Sequence, residues 1–224
     1  ALHQIGERTG ETQPLTDALA AQRETLAVFT RSASPQDWAQ AQIGIASTLL
    51  LLAERDGSQH RLAEAVAAYK SALEVLDAAA APMVASKARV RLAEALCQVA
   101  RRDGQGRHLL DAEEALARIE QKPGSQRHAI EWARLQAVTG VVSLELGRRG
   151  RSGDKLLAAI AALEAASEIY AEKRSFAARQ AHCLRDIGSA NEMLAQLERF
   201  LEPRLEKALV AYRTALSLLD KVQQ

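Results

Sequence analysis

Few residues in this chain have the types and spacing that enzyme chemistry needs. His182 stands next to Cys183, the two side chains that a cysteine nucleophile and its base would require. The pair lies in a helix-like segment, where adjacent residues point about 100° apart and cannot meet. We therefore expect Cys183 in the core and His182 on the surface.

Spacing also argues against phosphate and metal chemistry. The segment GRRGRSGDK, residues 147–155, lacks a preceding strand and the glycine spacing of a phosphate-binding loop. No two of the five histidines stand at metal-ligand spacing on one helix face: they are His3, His60, His108, His128 and His182. We predict no catalytic residues, no metal and no cofactor, and thus a protein that is not an enzyme.

Composition and charge narrow the class of protein. The chain has 224 residues, of which 48% are hydrophobic and 25% charged, as in a soluble folded protein. The net charge of +1 favours neither nucleic acid nor an anionic membrane as a partner. The longest apolar run, Thr48 to Ala53, is far shorter than the roughly 20 residues of a membrane span. With only Cys97 and Cys183, no disulfide framework is expected, and we predict a cytoplasmic location.

The elements that would position any site follow an internal period of 47 residues. The turns ERTGETQPL, ERDGSQHRL, RRDGQGRHL and RRGRSGDKL repeat at this spacing, and so do their arginines Arg8, Arg55, Arg102 and Arg149. After each turn a helix-like run, here called a second helix, begins near Leu15, Leu62, Leu109, Leu156 and Leu205. Its best copies, LAEAVAAYKSAL and LEKALVAYRTAL, place alanine, tyrosine and alanine at i, i+4 and i+7. That spacing forms one packing stripe along a helix.

A first helix precedes each turn, and its ends carry recognisable signals. Pro35 and Pro82 stand 47 residues apart, and proline suits the first turn of a helix. Gly10, Gly57 and Gly104 stand where a helix closes with a left-handed residue, near arginines that face the last carbonyls. We interpret the repeated basic turn as a helix stop, with a functional basic edge as the alternative.

First and second helices alternate about four and a half times along the chain. This alternation predicts an all-α fold, namely an α-solenoid built from antiparallel helix pairs. The pairs resemble the tetratricopeptide repeat (TPR) family at first-helix positions and at the Ala-x3-Tyr of the second helices. The first-helix matches are Ile45, Ala46 and Leu49, then Leu92, Ala93 and Leu96, then Ile187, Gly188 and Asn191. The resemblance implies a right-handed solenoid of four to five repeats, with residues 1–224 as one domain. The period exceeds the family's roughly 34 residues, so the resemblance is to long-helix bacterial variants, with HEAT repeats as the alternative.

The resemblance also implies a binding groove lined by the first helices. Carried over by the period, the groove positions of the first two copies are Gln40, Ile43, Ser47, Leu50 and Leu51, then Lys87, Val90, Glu94, Cys97 and Gln98. Those of the next two copies are Arg134, Ala137, Val141, Leu144 and Glu145, then His182, Arg185, Ser189, Glu192 and Met193. The family's clamp for a peptide carboxylate needs asparagines where this chain has Ser47, Glu94, Val141 and Ser189, so that clamp is not predicted.

Two functions remain. The first is a protein-interaction scaffold that binds a peptide or helix of a partner, with acidic residues favoured because Lys87, Arg134 and His182 share one row. The second is a structural or self-associating solenoid with no groove ligand. This alternative rests on the last helix, which is too apolar for a finished cap because apolar residues cover more than one of its faces: Leu205, Leu209, Val210, Leu216, Leu218 and Leu219. We expect that a further repeat, another domain or a second protomer covers this helix, and that the chain is a fragment of a longer protein.

Overall fold

The fold is all-α in the part of the chain that the computed structural model describes, which comprises residues 3, 11–79, 81–119, 129–198 and 201–222. Nine α-helices and one short 3-10 turn account for the regular structure there, and these described residues contain no strand. None of the helices in these ranges combines the length and the apolar character that crossing a bilayer requires. The predicted all-α class is confirmed.

In the first compact unit, Ala1–Ala115, the described residues form two first helices between three second helices. The elements are α1 (Gln13–Val28), α2 (Pro35–Asp56), α3 (Gln59–Ala78), α4 (Pro82–Asp103) and α5 (Arg107–Ala117), whose last two residues lie beyond the boundary. Along the chain from α1 to α4, each helix packs on the next, and the first helices α2 and α4 also touch. An ion pair of 3.6 Å between Lys70 and Asp111 joins α3 to α5.

The second compact unit, Leu116–Gln224, repeats this arrangement. Its elements are α6 (Ala129–Gly150), α7 (Gly153–Ala171), a 3-10 turn (Arg174–Phe176), α8 (Ala177–Leu197) and α9 (Leu201–Val222). Consecutive helices pack together, and the first helices α6 and α8 also touch. Across both units the five second helices begin at residues 13, 59, 107, 153 and 201, slightly before the leucines that mark the period.

The ends of the first helices follow the sequence signals. The helices α2 and α4 begin at Pro35 and Pro82, and they end before Gly57 and Gly104, both left-handed at φ 74°. In α6 the helix continues through Gly150, and Arg151 takes the left-handed conformation at φ 50°. The predicted helix stops at Gly57 and Gly104 are confirmed; the one at Gly10 lies outside the described residues.

The repeated turn arginines also tie successive repeats together. A guanidinium nitrogen of Arg102 donates a hydrogen bond of 3.0 Å to the carbonyl oxygen of Ala53, in the last turn of the preceding first helix. Arg55 donates in the same way to the carbonyl oxygen of Glu11. These arginines therefore donate to main-chain carbonyls of the repeat before their own, in addition to standing at a helix stop.

The repeated stripe of the second helices forms the core. Ala65, Tyr69 and Ala72 of α3 are fully buried, and so are the equivalent Ala159, Leu163 and Ala166 of α7. In α9 the equivalent Ala208 and Ala215 are buried, whereas Tyr212 is half-buried. The predicted packing role of the stripe is confirmed in these three helices.

Small residues of the first helices pack against the large residue of that stripe. Gly140 of α6 is so close to Leu163 that a Cβ at this position would lie 2.5 Å from the Leu163 Cγ atom. Gly188 of α8 likewise faces the ring of Tyr212, whose nearest atom would lie 2.6 Å from such a Cβ. The helix pairs of the second unit therefore pack at a distance that only glycine permits.

Candidate functional site

The first helices lie side by side within each unit, as a groove lined by first helices requires. In the first unit, the Gln98 amide donates a hydrogen bond of 2.6 Å to the Glu54 carboxylate, joining α4 to α2 near their C-terminal ends. The bond from Arg102 to Ala53 joins the same two ends. The groove positions on α2 and α4 thus belong to neighbouring helices whose equivalent ends meet.

The groove positions divide into three groups by exposure. The exposed ones are Gln40, Lys87, His182, Arg185 and Glu192. The half-buried ones are Ile43, Ser47, Leu51, Glu94, Gln98, Arg134, Ala137, Val141, Ser189 and Met193. The buried ones are Leu50, Val90, Cys97, Leu144 and Glu145. The groove itself stays a prediction, and only the first two groups present surface to a ligand.

The five buried positions belong to the packing of the repeats. Leu144 joins a core cluster with Leu156 of α7 and with Ala190 and Leu194 of α8. The carboxylate of Glu145 is held by Arg148 at 2.8 Å, within the same helix. The groove positions were assigned from a family with shorter helices. In the longer helices of this chain, the same assignment also includes positions on the face that packs against neighbouring helices.

The charges on the accessible positions are partly compensated. Glu94 is paired with Arg91 at 3.0 Å, and Arg185 with the buried Asp186 at 2.8 Å. Partial burial of the ring, followed by repulsion from Arg185, lowers the pKa of His182 below its ordinary value. His182 is therefore neutral near pH 7, so that Lys87 and Arg134 are the cations of the predicted row.

Sequence reasoning missed a hydrogen-bonded serine–tyrosine pair that recurs at two groove positions. Ser47 and Tyr69 join hydroxyl to hydroxyl at 2.8 Å, and Ser189 hydrogen-bonds Tyr212 in the same way. Tyr212 also donates a bond of 3.1 Å to Glu192. The signal was in the sequence, since the two serines precede their tyrosines by 22 and 23 residues. Ser47 and Ser189 are therefore engaged with the second helices.

Residues for nucleophilic or metal chemistry do not converge in the described ranges of the chain. Cys183 is buried and His182 exposed, which confirms the placement expected from their adjacency in a helix. Burial, followed by the nearby Asp186 carboxylate, raises the pKa of the Cys183 thiol to about 12. Among the residues that the structure describes, no cluster of three or more histidine, cysteine or acidic side chains could hold a metal ion.

The Cys183 thiol should resist modification as long as its unit is folded. In a Cys97→Ala variant at pH 8, a raised pKa of about 12 leaves a thiolate fraction roughly a thousandfold below that of an ordinary cysteine. We expect labelling by a disulfide reagent to be correspondingly slow, and to become fast in urea above the unfolding midpoint. Rapid labelling of the native protein would contradict the burial of this thiol.

Comparisons with known proteins add little to this picture. No family model matches the chain, and neither does any curated protein. A solved structure named "DHF58 filament" is similar over 99% of this chain and 89% of that chain, with 23% sequence identity and a TM-score of 0.31. A TM-score of that size carries no argument about fold or function.

Proposed function

We propose that this chain is a protein-interaction module, a right-handed TPR-like solenoid that binds a peptide or helix of a partner along its first helices. The observation that carries the proposal is the accessible stripe on α2 and α4. Gln40 and Lys87 are exposed at equivalent positions of these neighbouring helices, and Ile43, Glu94 and Gln98 are half-exposed. A surface with polar, charged and apolar groups at helical spacing suits an extended or helical segment.

The chemistry of the stripe favours a partner with acidic residues. Lys87 supplies positive charge on the stripe, and Ile43 supplies apolar contact. Complementary charge raises the rate of association and orients the bound segment. The two cysteines are both buried and form no disulfide bond, and we expect a cytoplasmic location.

Selection from a random library of short displayed peptides tests this proposal. We expect the chain to enrich peptides that combine aspartate or glutamate with regularly spaced apolar residues. The charge reversal Lys87→Glu should weaken binding of a selected peptide by about tenfold or more, measured by titration calorimetry.

A matched control separates the stripe from the overall charge. Arg107→Glu makes the same change in net charge at an exposed position of the same unit, outside the first helices. This control should bind the peptide as the unmodified chain does. Enrichment of no peptide at all, or equal losses in the Lys87→Glu and Arg107→Glu variants, would contradict binding at the proposed stripe.

A further inference from the structure

The last helix of the second unit presents an apolar stripe to solvent. Leu201, Leu205, Leu209 and Leu216 of α9 are all exposed, and Tyr212 completes the stripe between them. Their spacing of four, four, three and four residues keeps them on one face of the helix. This stripe contains none of the predicted groove positions.

The earlier repeats indicate what kind of surface this is. Leu205 is 41% exposed, whereas its equivalents Leu62, Leu109 and Leu156 are at most 1% exposed. Leu156 is covered by Ala190 and Leu194 of the following first helix. Leu216 likewise corresponds to the buried Leu73. The stripe on α9 therefore has the composition of a helix–helix contact.

Two charges beside the stripe indicate which occupant fits. Glu206 and Arg213 are exposed on the same flank of α9, seven residues or two turns apart. When two identical helices pair antiparallel about a two-fold axis, the same flanks meet and run in opposite directions. Glu206 then lies opposite the partner's Arg213, and the symmetry makes this ion pair twice. A parallel pairing would instead bring like charges together.

We propose that a second copy of this chain covers the stripe, with the two α9 helices antiparallel and the two-fold axis near Leu209. Leu209 packs beside the axis, and Leu205 packs against the partner's Leu216. A single helix pair buries about 1,000 Å² in total, at the low end for specific interfaces, and we expect a dimer with a dissociation constant in the range of about 1 to 100 μM.

Sedimentation velocity over a concentration series tests the dimer. We expect the unmodified chain to pass from monomer to dimer, and Leu209→Glu to weaken the dimer at least about tenfold because it places a charge at the centre of the interface. Thr214→Glu is the matched control, since it makes the same change in net charge at an exposed position of the same helix that points about 140° away from Leu209. It should dimerise as the unmodified chain does, with an unchanged circular dichroism spectrum for both variants.

Charge exchange tests the antiparallel geometry with two exposed residues whose replacement leaves the core intact. Glu206→Arg and Arg213→Glu should each weaken the dimer about tenfold, and the double variant should restore it because both symmetric ion pairs form again with exchanged partners.

An unmodified chain that stays monomeric would overturn the proposal and leave the stripe to a different protein segment. A dimer unaffected by Leu209→Glu, or not restored in the double exchange, would also overturn it. None of these residues lies on the accessible stripe of α2 and α4. The same variants should therefore still bind a selected peptide, so that failure of the dimer can be told apart from failure of the proposed function.

Discussion

Replacing Tyr69 with alanine will lower the free energy of unfolding of the first unit by about 3 kcal/mol. The ring is fully buried in the centre of the repeated stripe of α3, and its hydroxyl is bonded to Ser47. The change removes the buried ring and leaves a cavity between helices. Each unit contains one tryptophan, so urea unfolding of a Trp132→Phe variant, followed by the fluorescence of Trp38, reports on the first unit.

Two further tyrosine variants test the causes of this loss, namely the hydrogen bond of the hydroxyl and the burial of the ring. Tyr69→Phe keeps the ring and removes the bond to Ser47, and it should cost about 1 kcal/mol. Tyr212→Ala changes the equivalent but half-buried position of α9, and it should lower the free energy of unfolding less than Tyr69→Ala does. Its unfolding is followed by the fluorescence of Trp132, at protein concentrations too low for dimerisation. Equal losses at the two tyrosines would contradict the difference in burial between the two positions.

A second large effect is expected where α6 and α7 touch. Gly140→Ala places a methyl group about 2.5 Å from the Cγ atom of Leu163 and 3.1 Å from the carbonyl oxygen of Ala159. The resulting overpacking should exceed the gain in helix propensity of about 1 kcal/mol, for a net loss of about 2 kcal/mol. Urea unfolding of a Trp38→Phe variant, followed by the fluorescence of Trp132, measures it in the second unit.

The same helix provides the control for this prediction. Gly150 has open space where its Cβ would stand, so Gly150→Ala should be neutral or slightly stabilising. Leu163→Ala alone should cost about 3 kcal/mol, but combined with Gly140→Ala the two losses should fall short of their sum by about 1 kcal/mol or more. Additive losses, or a Gly140→Ala variant as stable as Gly150→Ala, would show that the helices can move apart at this contact.

Local signals made much of the helical pattern predictable from the sequence. The spacing of Pro35 and Pro82 marked helix starts, and Gly57 and Gly104 marked helix ends, because proline and glycine act on the backbone wherever they stand. The burial of Tyr69 followed from its place between two alanines on one helical stripe. Each of these inferences needed only residues within one or two turns.

Features that depend on contacts between helices were not predictable in the same way. The period aligned Val90, Leu144 and Glu145 with exposed positions of a family with shorter helices, but their burial depends on which neighbouring helix each one meets. The bond from Arg102 to Ala53 joins two repeats, and nothing in either turn alone indicates it. The boundary between the two compact units, inside α5, likewise reflects the distribution of contacts across the whole chain.

The most direct test of the proposed function is to map where a selected acidic peptide binds. Amide chemical shifts of the isotopically labelled chain, recorded during a titration with the peptide, identify the residues whose surroundings change. We expect the largest changes in the first unit on α2 and α4, around Gln40, Ile43 and Lys87, and smaller ones along α3. Changes concentrated on second helices, on the turns at Arg55 and Arg102, or on α9 would contradict a binding surface formed by the first helices.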